Sequence, residues 1–380
     1  MDGIFNLTRG FLPAQDPISH LPDACKPWEE MSHELPKLFA STYTRNNIDA
    51  LPLFPLESLT TTAEYERAML ILSYLGHAYV WCDAKNPAQA LPHHFAQSWY
   101  NVSQKVGRPP VLSYASYALY NWKRLNADGP IELGNIALIQ NFLGGIDEEW
   151  FILVHVDIEA NAAKAITALA LAQEAARDKN EKNIEKHLLT IHQSLEEMIK
   201  TLKRMPEHCD PYIYFNRVRP YIHGWKQNPA LPNGLLYTGV AAYNNNPVQF
   251  KGETGAQSTI IPALDACFGV QHPPSMLQEH LHEMVDYMPP SHREFLKQRQ
   301  ADNSIRPFII ESKSDTLTSL YNTCIDHMHE FRSVHLNYAK AYIEKQAQRS
   351  AGNPSHVGTG GTPFMDYLTA HCDETLLAKV

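Results

Sequence analysis

Two histidines interrupt apolar stripes at helical spacing, and an imidazole in such a position needs a partner. Leu317, Tyr321, Cys324, Met328, Phe331, His335, Tyr338 and Tyr342 recur every three or four residues, one face of a 3.6-residue period, in a helical pattern from Asp315 to Lys345. Burying His335 there without a hydrogen bond would cost roughly 1–3 kcal/mol, so a backbone carbonyl or a metal ion should satisfy it. Arg332 lies three residues earlier, near enough on the helix to share whatever His335 faces. His155 repeats the situation among Phe151, Ile158, Ala162, Ile166 and Leu169. Two such histidines on separate helices could face one cavity from opposite sides. A helical protein holds a haem in that way, with one imidazole on iron and the other side open or polar.

Other residues could do different chemistry. Tyr214 and Phe215 precede Arg219 by five and four positions, just where Pro220 should kink or end a helix. A guanidinium beside aromatic rings suits an amino acid with a flat apolar body, because it grips a carboxylate in a two-pronged fork. The plainer reading is a surface arginine laying its stem on a tyrosine. His280, His282 and Asp286 offer a non-haem iron site of two histidines and one carboxylate, His282 and Asp286 sharing a helix face, although an exposed polar helix explains them as well. The glycine-rich stretches 252–255 and 358–362 lack the Lys-Ser/Thr ending and the preceding strand of a phosphate loop, which argues against nucleotide binding.

The elements that must position these groups read as helices. Residues 1 to about 60 are broken by prolines. Helical periodicity then begins after Thr60-Thr61-Thr62 and resumes after Pro110, carrying Tyr114, Tyr117 and Trp122. Long helices follow at about 149–177 and 181–204, then shorter ones near 257–270, 275–287 and after Pro290. Alternating strands are scarce, so the fold class is mainly α. Gly144-Gly145 marks a boundary between a small N-terminal domain, 1–143, and a large helical domain, 144–380, with a mobile glycine-rich loop at 350–362. With 380 residues, 44% hydrophobic, the chain can bury a large core. Its net charge of −9 excludes a basic nucleic-acid or anionic-membrane surface. No export signal or membrane span is read, and six widely spaced cysteines fit reduced thiols in a cytoplasm. A monomer is expected, with an oligomer left open.

Taken in order, Pro110–Ala115 through Asn121-Trp122, Gly224–Pro229, Gly255–Ser258, Tyr287–Arg293, Phe331–Leu336 and Gly358–Thr362 resemble the indoleamine 2,3-dioxygenase family. These are haem enzymes that insert both atoms of O2 across the indole C2–C3 bond. The resemblance implies a two-domain helical fold with haem b between the domains. It implies that L-tryptophan or a related indoleamine reacts with O2 to give an N-formylkynurenine-type product. By it, His335 would be the proximal iron ligand, Arg332 the partner of a haem propionate, and Asp265 an acceptor orienting the imidazole. Arg219 would clamp the substrate carboxylate. Tyr114, Tyr117, Phe151, Tyr214 and Phe215 would wall the distal pocket, with Thr254 and Gly255 beside it and Thr359 on a lid. His155 stands where vertebrate members carry serine, as in the related tryptophan 2,3-dioxygenases, and would orient the indole N–H. Tyr117 and Glu253 also depart from smaller residues. A different indole substrate, or a haem-binding sensor without turnover, remain the alternatives.

Overall fold

Thr61 opens the first long helix, Thr62–Trp81, with a reciprocal cap. Its hydroxyl accepts from the Glu64 N–H at 3.2 Å, while the Glu64 carboxylate accepts from the Thr61 N–H at 2.8 Å, so two otherwise unpaired donors at the helix start are satisfied. The computed structural model describes residues 8–39, 41–347 and 365–380 and is mainly α. Ile146–Arg177 and Glu181–Lys203 form a helical hairpin, the second capped by Asn180, and Asp315–Ala339 packs on the second of the pair. Pairing into sheets is slight among the described residues: Ala90–Leu91 runs parallel to Leu236–Tyr237, and Trp122–Arg124 antiparallel to Ile136–Leu138. Among the described residues no helix is long and apolar enough to cross a membrane.

Two expectations change. The helix expected after Pro110 is a π-turn, Ala115–Leu119, and Trp122 begins a strand instead. Asn121 is the reason. Its amide donates to Gln140 O at 2.8 Å and its carbonyl accepts from Gln140 N at 2.8 Å, tying the backbone sideways to a distant segment. The helix carrying His335 ends at Ala339 and continues as a π-turn, Lys340–Glu344. Its apolar stripe is buried at Leu317, Tyr321, Cys324 and Met328, but His335 is exposed. Past Met328 the stripe is partly buried at Phe331 and Tyr338, exposed at His335 and buried again at Tyr342, so the period marks a face that is not uniformly packed.

Two apolar clusters make the core. One gathers residues from Leu12 to Phe142 together with Ile222, Trp225, Leu235, Tyr237, Met284 and Tyr287, and the other residues from Trp150 to Val218 with Ile260 to Tyr342. They meet along the start of the Ile146–Arg177 helix, which sends Ile152, Leu153 and Val156 into the first and Trp150, Val154 and Ile158 into the second. Phe151 packs on both. A side chain on this stretch is therefore held from two sides.

Candidate active site

The start of the Ile146–Arg177 helix is set by Glu148, whose carboxylate accepts from the N–H groups of Phe142 at 2.6 Å and of Leu143 and Gly144 at 3.0 Å. Gly144 and Gly145 turn the chain at φ of 71° and 103°, where a side chain would be strained. From this start Phe151, His155 and Glu159 follow at four-residue spacing on one face. His155 Nδ1 lies 2.7 Å from the Phe151 carbonyl. Because a carbonyl only accepts, the proton belongs on Nδ1 and the lone pair on Nε2. Burial lowers the pKa of His155, so the ring is neutral at physiological pH.

Glu159 fixes what stands opposite. Its Oε1 accepts from the Tyr114 hydroxyl at 2.9 Å and from the Ser258 hydroxyl at 2.8 Å, while Tyr114 N donates to Gln257 Oε1 at 2.8 Å. Burial raises the Glu159 pKa to about 7, against the lowering effect of those two hydroxyls. The Tyr114 ring so held stands edge-on to His155 at 6.0 Å. Phe151 is 4.8 Å from His155, 4.6 Å from Tyr214 and 6.3 Å from Tyr117. The Tyr117 hydroxyl is buried with no hydrogen-bond partner among the described residues.

Tyr214–Val218 is a third π-turn, and Pro220 follows in the 3-10 turn Arg219–Tyr221. This bend turns Arg219 inward. Fully buried, it lies 5.4 Å over the Phe215 ring, and its pKa falls through burial, with Tyr214 opposing. The next strand of chain crosses the segment before Glu253 so closely that a Cβ on Gly224 would lie 2.2 Å from Gly252 N, and one on Gly252 2.2 Å from Gly224 N. Backbone bonds from Trp225 to Phe250 and from Glu253 to Ile222 lock the crossing. It sets buried Glu253 near Tyr114, Tyr117 and Tyr214, whose pKa values rise mainly through burial with this carboxyl a lesser contributor, while burial raises Glu253 itself to about 8. Thr254 caps the turn that follows, and a Cβ on Gly255 would meet nothing within 4 Å.

His335 comes within electrostatic reach of His155. Although its ring borders open space, surrounding protein desolvates it and His155 adds to the effect, lowering its pKa to about 4. The two histidines thus lie near enough to feel each other's charge, and His335 has no hydrogen bond among the described residues. Arg332 is engaged by Asp265 Oδ2 at 2.5 Å and Thr375 Oγ1 at 2.6 Å. Burial opposes ionisation of Asp265, but Arg332 and His272 hold its pKa below the usual carboxylate value.

The model of the indoleamine 2,3-dioxygenase family matches residues 4–378. The chain belongs to that family. It is 35% identical to human indoleamine 2,3-dioxygenase 2 over 97% of this chain and 92% of the relative. Rat indoleamine 2,3-dioxygenase 1 is 34% identical over 94% of this chain and 90% of its own length. The 6-hydroxytryptophan 2,3-dioxygenase of Fusarium equiseti is 29% identical over 96% and 93%.

Of the residues expected in the site, Tyr114, Tyr117, Phe151, His155, Tyr214, Phe215 and Arg219 are joined by ring contacts or electrostatic coupling. Thr359 and the 350–362 loop lie outside the described residues. Asp265 makes no hydrogen bond to His335; it is paired with Arg332 and His272, and Arg332 in turn is occupied by protein groups. The non-haem alternative does not assemble among the described residues: His280 is buried against Lys251, Nδ1 to Nζ 2.6 Å, whereas His282 and Asp286 are exposed. Sequence reasoning missed Glu159, Gln257 and Ser258, which fix Tyr114. Glu159 carried a signal, being four residues from His155 on the same face, and Gln257 and Ser258 fall in the Gly255–Ser258 segment of the family resemblance, but nothing local joins them to Tyr114, more than a hundred residues away.

Proposed function

We propose that this chain is a haem-dependent dioxygenase acting on L-tryptophan or a closely related indoleamine, with residues 1–143 capping the large helical domain 144–380. The observation that carries the reading is that two neutral histidines, His335 and His155, come within electrostatic reach of each other where Tyr114, Tyr117, Phe151 and Tyr214 gather around His155. The residues fit haem b: His335 is a desolvated neutral imidazole bordering open space without a competing hydrogen bond, which is what an axial ligand to iron requires. His335 would hold the iron, with the Asp265–Arg332 pair bracing its helix. When bound, the haem supplies the oxygen chemistry, delivering both atoms of O2 to the indole C2–C3 bond.

What the chain's own residues contribute is position and dryness. Arg219, buried over the Phe215 ring and coupled to Tyr214, grips the substrate carboxylate in a bidentate pair. Ring contacts with Phe151, Tyr214 and Tyr114 hold the indole plane and exclude water. His155 Nε2, the acceptor left by the Nδ1 bond to Phe151, takes the indole N–H and fixes which edge of the ring faces the reacting centre. The hydroxyl of Tyr117, buried without a partner among the described residues, offers a polar group that an unsubstituted indole would not use. Ring-hydroxylated tryptophans therefore belong in the substrate panel. Six unpaired cysteines favour a reducing compartment, the cytoplasm.

A visible spectrum of the haemin-supplemented, reduced protein with CO tests the reading. A Soret band that shifts with CO, is lost in His335→Ala and accompanies a formylkynurenine-type product from L-tryptophan is expected. A wild-type protein without a haem spectrum refutes it.

A further inference from the structure

Beside the Asp265–Arg332 pair stand three side chains that the proposed reaction does not use. Ligand atoms of His272, His371 and Glu374 all lie within 4.8 Å of one another. We propose that these three residues form a binding site for a divalent transition-metal ion of the zinc class, distinct from the haem site, with Asp265 as its outer support. The inference does not rest on the haem reading.

His272 is arranged as metal-binding histidines are. Its Nδ1 faces the cluster, 2.5 Å from Glu374 Oε2, and its other nitrogen, Nε2, lies 3.4 Å from Asp265 Oδ2. A carboxylate on the second ring nitrogen fixes the tautomer that leaves the first free to coordinate, and it makes that nitrogen more basic. His371 and Glu374 come from one helix, Met365–Leu376, at a spacing of three, so they share a face. His371 Nε2 is 3.9 Å from the same Glu374 oxygen, and its ring stacks on His272 at 3.8 Å and 12°.

Zinc holds imidazole nitrogen and carboxylate oxygen at about 2.0–2.2 Å, which puts neighbouring ligand atoms roughly 3–3.5 Å apart. To reach that spacing the His272–Glu374 pair, now at 2.5 Å, opens as the ion takes the place of the proton between them, while His371 turns out of its stack and closes by about an ångström or less from 3.9 Å. Two imidazoles and one carboxylate select this class over calcium or magnesium, which prefer oxygen ligands.

The cluster is also anchored. Asp265 Oδ2 is shared between His272 and Arg332, and Arg332 bonds Thr375, whose hydroxyl donates to His371 O at 2.7 Å. His192, Glu196 and His327 offer the same ligand types on two other helices. There, the Nδ1 atoms of both histidines are buried with no partner among the described residues, so no carboxylate supports them. That second cluster serves as the control.

The test is competition for Zn2+ between the tag-free full chain and a chromogenic chelator. Wild type should hold one Zn2+ per chain, at least about tenfold more tightly than His371→Ala or Glu374→Gln, since even outer-shell losses cost that much. His192→Ala and His335→Ala should bind as wild type does. Zn2+ should raise the melting temperature of wild type but not of His371→Ala, whose helical circular dichroism without Zn2+ shows that it is folded. Equal affinity in wild type, His371→Ala and Glu374→Gln overturns the proposal. So does a loss confined to His192→Ala or to His335→Ala.

Discussion

Replacing Glu159 by Gln should make the protein's stability less sensitive to rising pH. Glu159 is 1% exposed, its Oε2 has no partner among the described residues, and burial raises its pKa from 4.5 to about 7. A raised carboxyl pKa means that the folded state holds a proton the unfolded chain has released. Stability is therefore complete below pH 4.5 and lost as pH climbs towards 7 and beyond. Each tenfold difference in proton affinity weighs about 1.4 kcal/mol, so the full effect is about 3 kcal/mol, of which roughly 2–3 kcal/mol falls between pH 5 and pH 8. Gln keeps an oxygen for the Tyr114 and Ser258 hydroxyls but carries no charge. Other buried acids, Glu148 and Glu253 among them, titrate in both proteins and cancel in the comparison. Urea unfolding of both proteins at the two pH values measures the difference directly. A wild-type-minus-variant stability that stays constant within about 1 kcal/mol, or moves the other way, would refute the reasoning.

Other substitutions probe other parts of the site. Arg219→Lys, which loses the bidentate fork, should lower kcat/KM for L-tryptophan about 10- to 100-fold while leaving that for tryptamine, which lacks the carboxylate, nearly unchanged. His155→Ala should keep the haem spectrum and shrink the preference for tryptophan over 1-methyltryptophan by up to about tenfold, the worth of one neutral hydrogen bond; full activity with unchanged preference contradicts the assigned role. Gly224→Ala should cost at least about 1–3 kcal/mol in thermal or urea unfolding, because its Cβ would meet Gly252 N at 2.2 Å. Gly255→Ala, with nothing within 4 Å, should stay within about 0.5 kcal/mol of wild type.

Much of this molecule is written locally. Period and caps alone foretell the mainly α architecture, the break between the two hairpin helices and the bend at Pro220, because each depends on neighbours within a turn or two. The same local reading singles out His335 and His155 as polar groups in apolar stripes, whereas Arg219, read more plainly as a surface residue, is shown to be buried only by the fold. It errs where distant segments decide. Asn121 ends a helix because Gln140 lies beside it, and the stripe that is buried through Met328 leaves His335 exposed. Whether His335 and His155 confront each other, and whether Asp265 turns to Arg332 and His272 or to His335, are matters of how helices far apart in the chain are packed. Periodicity states which face of a helix wants company. Only the packed fold decides whether that company is protein, and the short reach of hydrogen bonds and charges then makes a site of the residues it brings together.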